Sequence, residues 1–251
     1  MMNNENTISK QTKLYGFIGE HAGASRLSAL VNKMFKASGE DAMMIPMNIR
    51  EDDFFFTLSG MKKSQVDGAV ISNEYVSNAV EILDEASSLV KRSGMCDIVF
   101  KEGEKLRGDI FGMRVLLEQL KDLRLSKIAL LGTTPHAKAF SFLACGFEVS
   151  YFDESLEELM VFVNEVDLKD ADLNRLTQGT DLSGFDAVLD FSNKQSLDSV
   201  AKLASFNFDM KNSKEFSALK SRAKELSAHY IGYDEMIEKL ADKAYKIIKG
   251  N

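Results

Sequence analysis

The stretch "KIALLGTTPHAKAFSFLACGFEVSYFD", residues 127–153, decides how the rest of the chain is read. An apolar run, KIALL, leads to a turn opened by Gly132, then a helical pattern, then a second apolar run closing on Asp153. Strand, tight turn, helix and strand, with an acidic residue about 20 positions after the first glycine, is the frame of a dinucleotide-binding βαβ unit. Its turn reads Gly132-Thr133-Thr134-Pro135-His136-Ala137, where such turns usually carry several glycines. The first glycine, needed for the tight bend, is present. The second lets backbone approach the pyrophosphate, and Thr134 stands there with a branched side chain. The third allows close packing of helix on strand, which Ala137 tolerates. Pro135 suits the first turn of a helix but deletes an amide donor. His136 and Lys138 are placed to draw an anion toward that helix start. At the end of the second strand, Asp153 and Glu154 favour a ribose 2′-hydroxyl, hence NAD, and oppose the 2′-phosphate of NADP. The frame is intact, and binding of either nucleotide is expected to be weak or absent.

The surrounding sequence repeats the alternation of strand and helix. LYGFIGE (14–20) reads as a buried strand, followed by a helical pattern that stops at Gly39. Strands are expected at 42–48 and 66–72, with a helical segment at 51–64 between them. A long amphipathic helix is expected over 75–92, carrying Val76, Ala79, Val80, Leu83 and Ala86 at helical spacing. Residues 95–108 alternate like a hairpin turning at Glu102–Gly103. A helix beginning near Asp109 joins this first lobe to the one holding the quoted stretch. Beyond it come a helix near 155–165, a strand at 186–191, and helices at 196–204, 213–227 and 234–249. Such alternation implies α/β lobes with mostly parallel sheets covered on both faces.

At 251 residues the chain has room for one or two domains. The formal net charge of −7 argues against a nucleic-acid or anionic-membrane partner, since both attract basic surfaces. No apolar run approaches the roughly 20 residues needed to cross a bilayer. The start, MMNNENTISKQTK, lacks an apolar core segment and is expected to be a disordered tail (1–12) rather than a secretory signal. Two unclustered cysteines, Cys96 and Cys145, suit a reducing, cytoplasmic setting. His21, His136 and His229 are too scattered to suggest a metal site.

Laid end to end, these segments resemble a shikimate dehydrogenase over nearly all of residues 13–250. YGFIGEHAGASRLSALVNKMF (15–35) is similar to the opening strand and substrate-binding serine loop of that family. DGAVISNEYVSNAVEILDEAS (67–87) is similar to its signature strand and helix. SGMCDIVFKEGEKLRGD (93–109) is similar to the hairpin before the catalytic aspartate, and 233–245 to the terminal helix that returns to the first lobe. The resemblance implies a substrate-binding α/β domain (13–112), a Rossmann-like domain (113–230) and a C-terminal helix (231–251) packed on the first. It implies NADPH-dependent reduction of 3-dehydroshikimate, with a lysine and an aspartate handling the proton, and a small-molecule ligand in an interlobe cleft. Monomer and homodimer stay open.

Several positions depart from the pattern. The family's Asn-Val-Thr-Ile-Pro-X-Lys run is met by Val70-Ile71-Ser72-Asn73-Glu74-Tyr75-Val76, so Val76 replaces the lysine. A developing alkoxide then lacks its cation, and removal of such a group costs about 3–4 kcal/mol of transition-state stabilisation. Tyr75 is an alternative donor or a packing tyrosine. By this resemblance the catalytic aspartate is Asp109, matched if three residues are deleted after Gly108, because Asp109, Gly112 and the apolar residues after them then fall into place; without the gap, Gly112 takes its position. Asp109 also suits an N-cap. Ser72 keeps the hydroxyl of the family's threonine. Of the Ser-X-Ser pair that holds the substrate carboxylate, only Ser25 remains. Asp97 replaces an asparagine and brings a charge that repels an acidic substrate, and Leu240 replaces a glutamine. Arg26 and Arg107 are the arginines available for a new anion contact. The implied cofactor contacts are Gly132, Thr133, Thr134, His136, Ala137 and Asp153. Together these changes lead us to expect a metabolite-binding or regulatory homologue with impaired catalysis. The alternative is an active NAD(P)-dependent oxidoreductase acting on shikimate or a related hydroxy or keto acid.

Overall fold

A computed structural model describes residues 11–250. Within them the chain builds two sheets. The first uses β1 (Lys13–Gly19), β2 (Ala42–Asn48), β3 (Val66–Ile71), β4 (Glu85–Ala86), β5 (Ile98–Glu102) and β6 (Lys105–Asp109), in the order β2-β1-β3-β5-β6-β4. β1 pairs in parallel with β2 and β3, whereas β5 runs antiparallel to both β3 and β6. The second uses β7 (Lys127–Leu131), β8 (Glu148–Asp153), β9 (Asp172–Arg175), β11 (Ala187–Asp190), β13 (Phe206–Phe208) and β14 (Tyr230–Ile231), in the order β14-β13-β11-β7-β8-β9. Every pairing in that second sheet is parallel. β10 (Thr180–Asp181) and β12 (Val200–Lys202) form a separate small ladder. This is the α/β architecture expected from the alternation of strands and helices.

The local sequence explains the elements. KIALL and AVLD are continuous apolar runs because β7 and β11 are buried on both faces of a parallel sheet. α1 (Leu27–Ser38) ends at Gly39, which adopts the left-handed conformation (φ 71°) that glycine supplies at helix ends. α6 (Pro135–Leu143) begins on its proline, as the turn sequence predicts. α2 (Glu51–Gly60), α5 (Gly112–Asp122), α7 (Leu156–Val166) and α8 (Ala218–Glu225) fill the connections. α9 (Ile237–Gly250) buries Leu240, Ala241, Ala244 and Ile248 and returns to pack on α1 and α5.

Four expectations need correction. The long helix over 75–92 is three pieces: a 3₁₀ turn, α3 (Val76–Val80), and α4 (Ser88–Ser93), with β4 between the helices. Asp84 breaks it, because its backbone N–H donates to Leu106 O while its carboxylate accepts from Leu106 N at 2.8 Å. The edge of β6 thereby captures the chain, and Ser87 starts a new helix by accepting from Val90 N. The helix expected at 196–204 is loop and β12, since Val200 pairs with Thr180 instead. The helix expected at 213–227 shrinks to α8, whose N-cap is Ser217. The hairpin turns one residue later than expected, at 103–104, because Glu102 pairs with Lys105. Of the expected tail, residues 1–10 lie outside the described residues, and Thr12 donates its hydroxyl to Asp41 at 2.7 Å.

Candidate functional site

Strand order places a crevice at one point of the second sheet. From β7 the chain proceeds outward through β8 and β9, then crosses back to β11 on the other side of β7. The C-terminal ends of β7 and β11 therefore diverge, which is where ligands bind in open α/β sheets. Gly132 follows β7 there with φ 90°, and a Cβ on it would lie 2.4 Å from Ser192 Cα. Only glycine fits that turn. Thr134 precedes α6 without a side-chain cap bond, Ala137 is fully buried, and Thr133 faces an outer pocket with Ser155, Glu157 and Glu158.

The side chains expected to draw an anion here do not do so. His136 stacks on Phe191 (centroids 5.8 Å apart), and burial, with Lys211 adding to it, lowers its pKa to about 4, so the ring is neutral. Lys138 is paired with Glu165 at 2.6 Å. Asp153 is buried, accepts from Ser155 N at 3.1 Å and lies 4.0 Å from Lys194, whose closer partner is Glu154 at 3.1 Å.

Beside this crevice lies a deep, narrow apolar cleft walled by Val76, Met95, Phe111, Met210, Tyr233 and Leu240. Asp97, Gly112 and His136 also line it. Val76 is buried at the start of α3, where its carbonyl accepts from Cys96 N. Asp97, expected from the sequence in the substrate site, lines this cleft. Its carboxylate accepts from Phe111 N and Gly112 N, both at 2.7 Å, and so caps α5. Burial pushes its pKa up to about 7, against the pull of those two amides. A Cβ at Gly112 would sit 2.8 Å from Asp97 Oδ2. A side chain at 112 would therefore have to displace the Asp97 carboxylate.

The remaining predicted residues are not brought together. Asp109 ends β6, half-buried and 3.6 Å from Arg114, and the capping role expected of it belongs to Asp97. Gly112 lines the cleft, and Asp109 is not among the residues that do. The Tyr75 hydroxyl donates to Ile49 O at 2.8 Å and its ring packs on Phe54 at 4.5 Å, so it is a packing tyrosine. Ser72 donates to Glu74, and Ser25 accepts from Leu27 N. Arg26 is exposed beside Glu238, and Arg107 is engaged by Glu102 on the hairpin.

A second, more polar cleft of about 660 Å³ continues outward between the lobes, over Glu74, Pro135, Asp190, Phe191, Lys211 and Glu215. Asn73 bridges its mouth, donating to Glu215 at 2.8 Å. Sequence reasoning missed Asp190, Lys211 and Glu215; the switch-point position of Asp190 after DAVLD was the available signal.

No family model matches the chain. The shikimate dehydrogenase (NADP(+)) of Dictyoglomus thermophilum is 31% identical to it over 149 residues, 57% of this chain and 54% of that enzyme. The match therefore spans about half the length of that curated relative. A solved shikimate dehydrogenase from Aquifex aeolicus superposes with a TM-score of 0.74 at 19% identity, covering 98% of this chain and 95% of that one. An Ael1 enzyme from Pseudomonas putida does so with the same score at 18% identity, over 95% and 94% of the two chains, so the fold does not select a substrate. The chain is thus similar in sequence to a curated shikimate dehydrogenase over about half its length and shares its fold with solved shikimate dehydrogenases.

Proposed function

We propose that this protein is a shikimate dehydrogenase homologue that no longer carries out the family reaction and instead binds a small metabolite in its interlobe cleft. The observation that supports this reading is the wall of the deep cleft. An aliphatic side chain, Val76, occupies the position of the proton-donating lysine, and the residues lining the cleft include no lysine or arginine. Its carboxylate, Asp97, would meet an acidic substrate with repulsion whenever ionised. Without a cation, charge developing on a ketone oxygen goes unstabilised. Leu240 adds an apolar surface where a hydrogen-bonding glutamine would serve a polyhydroxylated ring.

The same reading holds nucleotide binding to be weak or absent. Thr134 puts a branched side chain, and Pro135 a missing N–H, where a pyrophosphate needs bare backbone. Glu154 and Asp153 stand where NADP carries its 2′-phosphate, and Lys194 is already shared between them. The free thiols of buried Cys96 and exposed Cys145 support a reducing, cytoplasmic setting.

The second reading, an active oxidoreductase using NAD, is favoured by Asp153 at the C-terminal end of β8. Melting curves with NAD and NADP, followed by a steady-state assay with shikimate and NADP, separate the two. A ligand at 100 times its Kd adds about 2.7 kcal/mol to the native state. We expect no shift with either nucleotide and no turnover. A shift with NAD alone supports the second reading, and measurable turnover with NADP overturns the first.

A further inference from the structure

The outer cleft is built for the opposite charge to that of the nucleotide its position suggests. Three carboxylates line it, Glu74, Asp190 and Glu215, against one ammonium, Lys211, and a neutral histidine, His136. Each carboxylate is held in place. Glu74 accepts from Glu20 N (2.8 Å) and Ser72 Oγ. Glu215 accepts from Asn73 Nδ2 and Asn212 N, both at 2.8 Å. Asp190 accepts from Ser192 N (2.9 Å) and Ser192 Oγ (2.6 Å), both through Oδ1.

The other oxygen of Asp190 is the independent observation. Asp190 lines the cleft and is 3% exposed, and among the described residues its buried Oδ2 has no hydrogen-bond partner. Buried polar atoms in folded proteins are nearly always satisfied, so an orphaned carboxylate oxygen in a cleft-lining residue points to a donor from outside the chain. Lys194 does not supply it, being engaged by Glu154. At the neighbouring strand end Asp209 is buried, and desolvation first, with the Asp190 carboxylate adding to it, raises its pKa and favours its neutral form. Asp190 also sits at the switch point, at the C-terminal end of β11, where the topology directs a ligand. Pro135, Phe191 and Met210 supply apolar wall.

From this we infer that the outer cleft binds a small organic cation, an amine or guanidinium compound, with Asp190 Oδ2 as its principal acceptor and Glu215 and Glu74 completing the negative wall. The inference rests on the reading of the chain as a metabolite-binding homologue and names its ligand class. Charge complementarity carries it: a multi-donor cation supplies the N–H that Asp190 lacks, while a phosphate would face three carboxylates.

Agmatine is a suitable probe, with 4-guanidinobutanoate as the matched compound in which a carboxylate replaces the amine. Isothermal titration of the full chain should show agmatine binding and the carboxylate analogue binding roughly tenfold or more weakly. Asp190→Asn keeps an acceptor for Ser192 and should weaken agmatine by roughly tenfold, the loss of one charged hydrogen bond. Glu215→Gln should weaken it in the same direction, and Lys211→Ala should tighten it. No heat of agmatine binding, or affinity indifferent to both Asp190→Asn and Glu215→Gln, overturns the inference. If agmatine fails while shikimate and NADP still give no turnover, the ligand class is wrong and the proposed function stands. Turnover with shikimate and NADP instead removes the proposed function itself.

Discussion

Asp97 concentrates the chemistry of the deep cleft in one residue. A carboxylate whose folded pKa lies near 7, above its ordinary 3.8, carries a defined pH signature. The folded state holds the proton more tightly than the unfolded chain. The group therefore costs nothing below the unfolded value, and the native state loses stability as pH rises from about 4 to about 7. Asp97→Asn removes that titration while retaining an acceptor for one of the two capped amides. Urea denaturation at several pH values should show the variant gaining on the wild type through this window, by about 2–4 kcal/mol in all. A difference that stays constant with pH would mean that the carboxylate is ionised throughout. The amide that asparagine cannot serve adds a fixed cost at every pH and leaves the slope untouched.

At the scale of elements, one small hydroxyl ties α8 to the second sheet. Ser217 Oγ accepts from Lys220 N at 2.9 Å and donates to Asp209 Oδ2 at 2.5 Å. It thus serves as N-cap and as partner of a fully buried carboxylate beyond β13. Ser217→Ala should cost about 1–2 kcal/mol for the cap and a further 1–3 kcal/mol for the oxygen left unsatisfied. A chemical denaturation midpoint within experimental error of the wild type would refute this double role. The region 75–92 carries the contrasting lesson. Its helical spacing is real, yet the pairing of Asp84 with Leu106 and of Glu85–Ala86 with β6 overrides it. Local periodicity reports which side chains want burial; an available strand edge decides the backbone that delivers them.

Across the whole molecule, the proposed loss of the family reaction rests on the assembled cleft rather than on one position. Restoring the cation with Val76→Lys, together with an aspartate through Gly112→Asp, should leave shikimate oxidation at background in a direct NADP assay. The reason lies at Asp97, whose Oδ2 would meet the new Cβ at 2.8 Å, and at Leu240, which offers no hydrogen bond. The buried lysine should also lower stability, because desolvating an ammonium is costly without a partner. Turnover appearing in that double variant would show that the two missing groups alone had silenced the family reaction.

Residues 127–153 by themselves settled the βαβ unit and the indispensable glycine of its turn, because those properties depend on neighbours in the chain. The two-lobed α/β class was legible from the order and spacing of the segments. Only the tertiary structure decided that the Asp97 carboxylate lies against Gly112, that Asp97 and not Asp109 caps α5, and that Asp190, Glu74 and Glu215 line one outer cleft. Those relations join residues from different elements of the chain. Their distances are set by how the sheets and helices pack, which no local pattern of hydrophobicity or turn chemistry encodes.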